Sequence, residues 1–169
     1  MIHTHISLIL SKDSLKQANM VIEKLETRVP IEASAEKLFD IFCNKTHTIA
    51  NIFPEKIQAV EIHEGEWGAE RSVISWNYIN DGKTCVAKEV VEGIDKENNK
   101  MTFKVIEGDL LQHYNSFKFK LQVSPKEKGS VVHWELEYEK KNYSISDPHT
   151  TLELVVEEAN QVDAYLTNE

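Results

Sequence analysis

The chain is short of cysteine, and its cysteines follow no regular spacing. Only two of its 169 residues are cysteine, Cys43 and Cys85, and neither belongs to a CxxC motif. Two thiols this far apart supply neither a disulfide framework nor the ligand spacing of a zinc site. Because free thiols persist in reducing compartments, we expect a cytoplasmic protein.

Positive charge and long apolar runs are also scarce. Lys and Arg together number 19 against 28 Asp and Glu, which leaves a formal net charge of −9. This surplus of negative charge opposes binding to DNA and RNA, so we expect no nucleic acid partner. No apolar run approaches the roughly 18 residues that a bilayer-spanning helix requires, so we expect no membrane insertion.

The N-terminal residues differ from the rest of the chain. Residues 1–19, MIHTHISLILSKDSLKQAN, hold one short apolar patch, ISLIL, within polar sequence. They lack the basic region, the longer apolar segment and the cleavage site of a secretory signal. We expect a flexible extension at 1–19 and a single domain at 20–169, a length typical of one hydrophobic core.

The middle of the chain alternates apolar and polar residues, the pattern of half-buried strands. A first strand is predicted at 21–31, VIEKLETRVPI, where Pro30 favours a sheet edge. Six further strands are predicted from residue 57 to about residue 140, with Asp81-Gly82 as a tight hairpin turn. The short connections predict a meander of antiparallel neighbours.

Helical spacing occurs in three places. SAEKLFDIF offers Ser34 as an N-cap, and THTIANIF predicts a second short helix. A long C-terminal helix is predicted with Asp147 as N-cap and Pro148 as its first residue. Its apolar stripe consists of Leu152, Val155, Val156, Ala159, Val162 and Leu166.

These elements predict an α+β fold in which a seven-stranded curved antiparallel sheet wraps around the long C-terminal helix, with two short helices. A curved sheet around one helix encloses more volume than side chains usually fill, so we expect an internal hydrophobic cavity. Strand alternation and the helical stripe then predict the residues that contact a ligand. They are Trp76, Tyr78, Met101, Phe103, Val105, Phe117, Phe119, Val132, Trp134, Leu136, Tyr138, Leu152, Val155, Val156 and Ala159.

A glycine-rich stretch, HEGEWGAERS at 63–72, raises the possibility of a phosphate-binding loop. Such a loop needs a Lys after its glycines and a helix whose N-terminus faces the anion. Here Glu61, Glu64, Glu66 and Glu70 crowd the turn, and a strand follows it. We expect the stretch only to turn the chain.

Candidates for catalysis or metal binding are few. The seven histidines show no HExxH or similar spacing, so we expect no metal and no cofactor. Lys88 and Glu89, adjacent in a predicted strand, are catalytic candidates, although solvated positions explain them better. If one of them points inward, burial would shift its pKa and make it a general acid or base. The hydroxyls of Tyr78 and Tyr138 are the other catalytic candidates.

An acidic strand face with Glu135, Glu137 and Glu139 fits a solvated surface better than a protein-docking site.

Several segments resemble the plant major latex protein family, which is similar in fold to the birch-pollen allergen and the pathogenesis-related class 10 proteins. They include VIEKLETRVPIEASAEKLFDIF, IQAVEIHEGEWG, SVISWNYINDGKTCVAKEVVEGID, MTFKVIEGDLL and GSVVHWELEYEKKN. The resemblance covers residues 20 to about 167 in order. Relatives commonly carry a glycine near Arg71, where this chain has AERS.

The resemblance implies a helix-grip (START-like) fold and two possible functions. Most members of the family are thought to bind small hydrophobic molecules such as steroids, hormone-like compounds, flavonoids or lipids, in connection with defence and stress. A minority resemble cofactor-independent enzymes that condense, isomerise or cyclise alkaloid or terpenoid intermediates. Ligand binding needs only the aromatic cavity, whereas catalysis also needs a positioned acid or base. Nothing in the sequence indicates more than a monomer or a weak dimer.

Overall fold

The computed structural model of the protein describes residues 21–168. The extension predicted at 1–19 lies outside the described residues. The strands are β1 (Glu23–Ile31), β2 (Ile57–Glu64), β3 (Val73–Asn80), β4 (Lys83–Asp95), β5 (Lys100–Gly108), β6 (Tyr114–Pro125) and β7 (Ser130–Lys140). The helices are α1 (Ala35–Asn44), α2 (Ile49–Ile52) and α3 (His149–Thr167), with short 3-10 turns at Thr46–Thr48 and Asp109–Gln112.

The strands form one antiparallel sheet in the order β1-β7-β6-β5-β4-β3-β2. Strands β2 to β7 follow one another as a meander, and β1 pairs with the far side of β7. Pro30 therefore lies in an edge strand, as predicted, where its missing N–H costs no central sheet hydrogen bond. The predicted α+β architecture is confirmed.

Local signals place several turns and caps correctly. Ser34 accepts a hydrogen bond at its Oγ from the Lys37 backbone N–H (3.3 Å) and caps α1. Asp81 and Gly82 join β3 to β4 with φ angles of 52° and 74°, as a two-residue hairpin turn requires.

The start of α3 differs from the prediction. The helix begins at His149, so Pro148 occupies the cap position and Asp147 lies outside it. The Asp147 carboxylate is already engaged: its Oδ1 accepts a hydrogen bond from the Tyr138 hydroxyl (2.7 Å) and lies 2.9 Å from Lys140 Nζ. It is therefore committed to β7 rather than to the first amides of the helix.

Helix α3 packs on the inner face of the sheet. Leu154, Val155, Ala159 and Val162 are buried in the main hydrophobic core with residues of the strands and of α1. Near the other end of the helix, Asp163 accepts hydrogen bonds from the backbone N–H groups of Glu32 (3.1 Å) and Ala33 (2.8 Å). These contacts fix the helix across the sheet and enclose the space between them.

Candidate functional site

A cavity of about 50 Å³ lies between α3 and the inner face of the sheet. Its wall takes residues from six strands, from α1 and α3, and from the 3-10 turn that follows β5. The lining residues are Phe42, Ile57, Trp76, Tyr78, Ala87, Glu89, Phe103, Leu110, Phe119, Trp134, Thr151, Leu154, Val155 and Glu158. Most of the wall is thus apolar, and a few polar groups project from it.

The cavity is smaller than the curvature of the sheet led us to expect. A volume of about 50 Å³ holds a few water molecules, since each needs roughly 10–15 Å³ of such space. Sites for small-molecule ligands usually measure about 300–1,000 Å³. Bulky side chains from facing walls fill most of the interior, so a ring-containing ligand requires some of them to move.

The structure brings six of the predicted ligand-contacting residues to this wall. They are Trp76, Tyr78, Phe103, Phe119, Trp134 and Val155. The rings of Trp76 and Phe103 meet edge to face with centroids 6.3 Å apart, and those of Phe42 and Trp134 do so at 5.5 Å. The wall is therefore strongly aromatic.

The other nine predicted residues lie away from the cavity. Val105, Phe117, Leu136 and Tyr138 belong to a second buried cluster, against which Leu152 packs. Met101, Val132 and Ala159 are buried in the main core, and Val156 packs against it, but none of these four lines the cavity. These residues point inward as strand and helix spacing predict, but neighbouring side chains fill the space in front of them. The stacked rings of Phe117 and Tyr138, with centroids 5.9 Å apart, show this close filling.

Sequence reasoning missed seven wall residues: Phe42, Ile57, Ala87, Leu110, Thr151, Leu154 and Glu158. Glu158 is the most consequential, because it is an ionisable residue that is only 5% exposed. Thr151, Leu154, Val155 and Glu158 follow one another at spacings of three and one, which places all four on one helical face. This helical spacing is the sequence feature that could have identified Glu158 as a wall residue.

Glu89 is the second carboxyl in the wall. It is 5% exposed and alternates along β4 with Lys88, whose Nζ pairs with Glu107 Oε2 at 3.2 Å on the opposite side of the sheet. Ala87, Glu89 and Val91 are the buried residues of that stretch. Of the two adjacent candidates, the structure turns Glu89 inward and Lys88 outward.

Both cavity carboxyls have strongly raised pKa values. Burial raises the pKa of Glu89 to about 8, and the nearby indole N–H of Trp76 partly opposes the rise. Burial likewise raises the pKa of Glu158 to about 8, and the charge of Glu89 adds to the effect. Removal from water disfavours the charged form of an acid, so both groups hold their protons at neutral pH.

Two indole donors and two hydroxyls complete the polar groups of the wall. Among the described residues, neither Trp76 Nε1 nor Trp134 Nε1 has a hydrogen-bond partner of normal geometry, and both atoms are buried. Burial raises the pKa of the Tyr78 phenol, so it stays protonated and available as a donor. Thr151 Oγ1 accepts a hydrogen bond from Asn80 Nδ2 at 3.1 Å. The Trp76 N–H lies near the Glu89 carboxyl, so Trp134 Nε1 is the buried indole donor that a ligand acceptor would satisfy.

Tyr138, another predicted catalytic candidate, has a structural role. Its hydroxyl donates to Asp147, and its ring packs between Tyr114 and Phe117 in the second cluster. The hydrogen bond holds the residues before α3 against β7.

The glycine-rich stretch turns the chain between β2 and β3, as predicted. Gly65 and Gly68 have positive φ angles of 86° and 80°. Ser72 Oγ closes the loop, donating to the Glu66 carbonyl (2.7 Å) and accepting from the Glu66 N–H (3.0 Å). Arg71 adopts a φ of 72°, a conformation that favours glycine, at the position where relatives commonly carry one.

Two glutamates of the acidic strand face, Glu135 and Glu137, share one lysine. Lys120 Nζ lies 3.1 Å from Glu137 Oε1 and 3.5 Å from Glu135 Oε2. Across residues 21–168, no group of three His, Cys, Asp or Glu side chains is arranged to hold a metal ion. No helix in this part of the chain is long and apolar enough to cross a membrane.

The amino-acid sequence is similar to a known family and to proteins of Arabidopsis thaliana. Residues 20–169 match the model of the pathogenesis-related protein Bet v 1 family. MLP-like protein 43 of Arabidopsis thaliana is 44% identical over 157 residues, which cover 92% of this chain and 99% of that protein.

Solved structures show the same fold. Ginseng major latex-like protein 151 from Panax ginseng superposes with a TM-score of 0.83 and 35% identity, covering 85% of this chain and 97% of that one. Norcoclaurine synthase from Thalictrum flavum superposes with a TM-score of 0.76 at 19% identity, covering 91% of each chain. The second similarity is one of fold alone.

Proposed function

The chain belongs to the pathogenesis-related protein Bet v 1 family, within its major latex protein-like group, and we propose that it binds or carries a small hydrophobic ligand in the cavity between α3 and the sheet. The ligand would be of the steroid, hormone-like, flavonoid or lipid type. Ligand binding and defence are roles of this family, and we infer a defence or stress role here. We also infer that the protein works in the cytoplasm, as a monomer or weak dimer.

The aromatic wall is the observation that carries this proposal. Trp76, Phe103, Phe119 and Trp134 come from four strands and border one space. Apolar surface removed from water on binding contributes about 25 cal/mol per Å², and the large aromatic side chains of the wall offer such surface. The buried N–H groups and carboxyls among these rings would orient the ligand through hydrogen bonds.

Binding requires the cavity to expand from its volume of about 50 Å³. Rotation of the aromatic wall side chains, with a small outward shift of α3, would provide the extra space. Such an opening costs packing energy, because the cores of proteins are close-packed. A ligand stabilises the open form by its preferential affinity for that form.

The test is a titration of the full 169-residue protein with 1-naphthalenemethanol, a neutral hydrophobic probe, followed by tryptophan fluorescence and calorimetry. Two of the three tryptophans, Trp76 and Trp134, lie in the wall, so binding should change their emission. Trp67 is in the β2–β3 loop, and Trp67→Phe is the matched control that should leave binding intact. Native mass spectrometry of protein purified from plant tissue should show a co-purifying hydrophobic compound. Absence of any saturable binding would contradict the proposal.

The second candidate is a cofactor-independent enzyme, a cyclase, isomerase or condensing enzyme acting on an alkaloid or terpenoid intermediate. The raised pKa values of Glu89 and Glu158 favour it, because acids with a pKa near neutrality suit proton transfer. Incubation with candidate intermediates and product analysis tests it. A new product lost in both Glu89→Gln and Glu158→Gln would support catalysis, and ligand recovered unchanged would support binding alone.

A further inference from the structure

Glu89 and Glu158 face the cavity from opposite walls, one from the sheet and one from α3. Each is 5% exposed. Apart from desolvation, the influences on their pKa values are the Trp76 indole and the charge of Glu89 on Glu158. Within residues 21–168, neither carboxyl has a Lys, Arg or His partner.

Burying two carboxyls without a neighbouring cation is energetically unfavourable if either one is ionised. An ionised carboxylate in an apolar setting costs several kcal/mol unless a positive group and hydrogen bonds compensate it. Buried acids in proteins are accordingly paired as a rule. Since no side chain among the described residues supplies the positive charge, both carboxyls are protonated in the ligand-free protein, and a cationic guest would supply the partner that a carboxylate lacks there.

The aromatic rings of the same wall are a second and independent feature suited to a cation. Trp76, Phe103, Phe119 and Trp134 border the space into which the carboxyls project. The faces of such rings attract organic cations, most strongly where water is excluded. Carboxyls and aromatic rings together make the usual setting for an ammonium group on an apolar skeleton.

We propose that the ligand is an organic amine bound in its cationic form, in which an aromatic or other apolar skeleton fills the cavity and the ammonium group donates hydrogen bonds to Glu89 and Glu158. This rests on the proposed binding of a small hydrophobic ligand, and it puts a cationic amine in place of the neutral steroid, flavonoid or lipid types. An ammonium group has several N–H donors, enough to bond to both carboxyls. A neutral hydroxyl has a single donor and satisfies one of them.

Binding of a cation would release a proton from the cavity. Besides the two glutamates, the titratable lining residue is Tyr78 on β3. The Cys85 thiol of β4 and the Asp109 carboxyl of the 3-10 turn lie near enough to raise the pKa of its phenol. At neutral pH both cavity glutamates carry protons, since their pKa values are about 8. A protonated carboxyl that meets an ammonium ion becomes a carboxylate in an ion pair, and its proton passes to the solvent. Amine affinity should therefore rise up to about tenfold per pH unit toward pH 8.

The experiment compares two probes of equal shape on the full chain: 1-naphthylmethylamine and 1-naphthalenemethanol. Calorimetry at about pH 6 and about pH 8 gives both affinities, and buffers of different ionisation enthalpy give the number of protons released. We expect the amine to bind at least about tenfold more tightly than the alcohol at the higher pH, with proton release. The affinity of the alcohol should change little between the two conditions.

Conservative variants locate the effect. Glu89→Gln and Glu158→Gln keep the side-chain shape and should weaken amine binding about tenfold or more and reduce its pH dependence, a larger loss than for the alcohol, for which the glutamine can still accept a hydrogen bond. The matched controls are Glu92→Gln on β4 and Glu157→Gln on α3, whose side chains pair with Lys118 and Lys56 outside the cavity. They should leave both affinities unchanged.

The possible failures are distinguishable. If the alcohol binds as tightly as the amine at both pH values, the cationic ligand class is overturned and hydrophobic binding stands. If the glutamine variants bind the amine as the wild type does, the assignment to Glu89 and Glu158 is overturned. If neither probe binds, both this inference and the proposed function fall.

Discussion

The hydroxyl of Tyr138 donates a 2.7 Å hydrogen bond to Asp147 Oδ1 and so ties β7 to the residues that lead into α3. Lys140 Nζ lies 2.9 Å from the same oxygen. This contact removes Tyr138 from the candidate site and Asp147 from the helix cap. It also fixes the entry of the helix that closes the cavity, so it supports the site without forming part of it.

Tyr138→Phe should lower the free energy of unfolding by about 1 kcal/mol, because one hydrogen bond to a carboxylate is lost while the ring remains. The Tyr138 hydrogen bond, followed by Lys140, holds the pKa of Asp147 below its ordinary value. The stabilisation is therefore present above the ordinary aspartate pKa and is lost as the pH falls through the lowered one. Urea unfolding at neutral and acid pH measures this, with Tyr143→Phe on the exposed loop as control. A loss of ligand affinity at unchanged stability would contradict the structural role.

Trp134→Ala should affect both stability and binding. The side chain is 2% exposed and meets Phe42 edge to face, so its removal should cost about 3–5 kcal/mol. Affinity for the neutral probe should fall as well, since the ring lines the cavity. Trp134→Phe keeps most of the packing and separates the two effects when melts are measured beside titrations. Unchanged affinity in both variants would remove Trp134 from the site.

The unfolding free energy of the ligand-free protein should fall as the pH rises from about 4.5 to about 8. The folded protein keeps protons on Glu89 and Glu158, whose pKa values are about 8, while the unfolded chain releases them near the ordinary value of 4.5. Each group contributes a slope of up to about 1.4 kcal/mol per pH unit in this range, which flattens above it.

The double variant Glu89→Gln/Glu158→Gln should remove this slope, because glutamine cannot ionise. Urea midpoints at several pH values measure the slopes, and Glu92→Gln/Glu157→Gln is the matched control on the same two elements. Identical slopes for the wild type and the cavity double variant would show that the two carboxyls ionise as freely in the folded state as in the unfolded chain.

Substitutions at Arg71 should reveal the backbone strain of the β2–β3 loop. Its φ of 72° is accessible to glycine but costs other residues about 1–2 kcal/mol, most of all β-branched ones. We expect Arg71→Gly to be more stable than Arg71→Val by about that amount, although both retain the backbone N–H that donates to the Val91 carbonyl at 2.7 Å. Chemical denaturation of the two variants decides the matter, and equal stability would mean that the loop relaxes.

Trp134 and Tyr138 lie on the same face of β7 but in different surroundings. Alternation along β7 correctly placed Trp134 and Tyr138 on the buried face. It could not tell that Trp134 borders open space while Tyr138 packs against Phe117. Both residues follow the same period-two alternation. They differ in which side chains of other strands and helices pack against them.

The sequence by itself determined the seven strands, the antiparallel meander of β2 to β7, the edge position of Pro30, the Ser34 cap and the Asp81-Gly82 turn. These features depend on periodicity and on the φ preferences of single residues, which are local properties of the chain.

Only the tertiary structure decided that Glu89 and Glu158 face one small cavity and that Tyr138 engages Asp147. Glu89 and Glu158 are 69 residues apart in sequence, and their meeting depends on how α3 crosses the sheet. The volume between them is what the side chains of six strands and two helices leave unfilled, a quantity that no local pattern encodes.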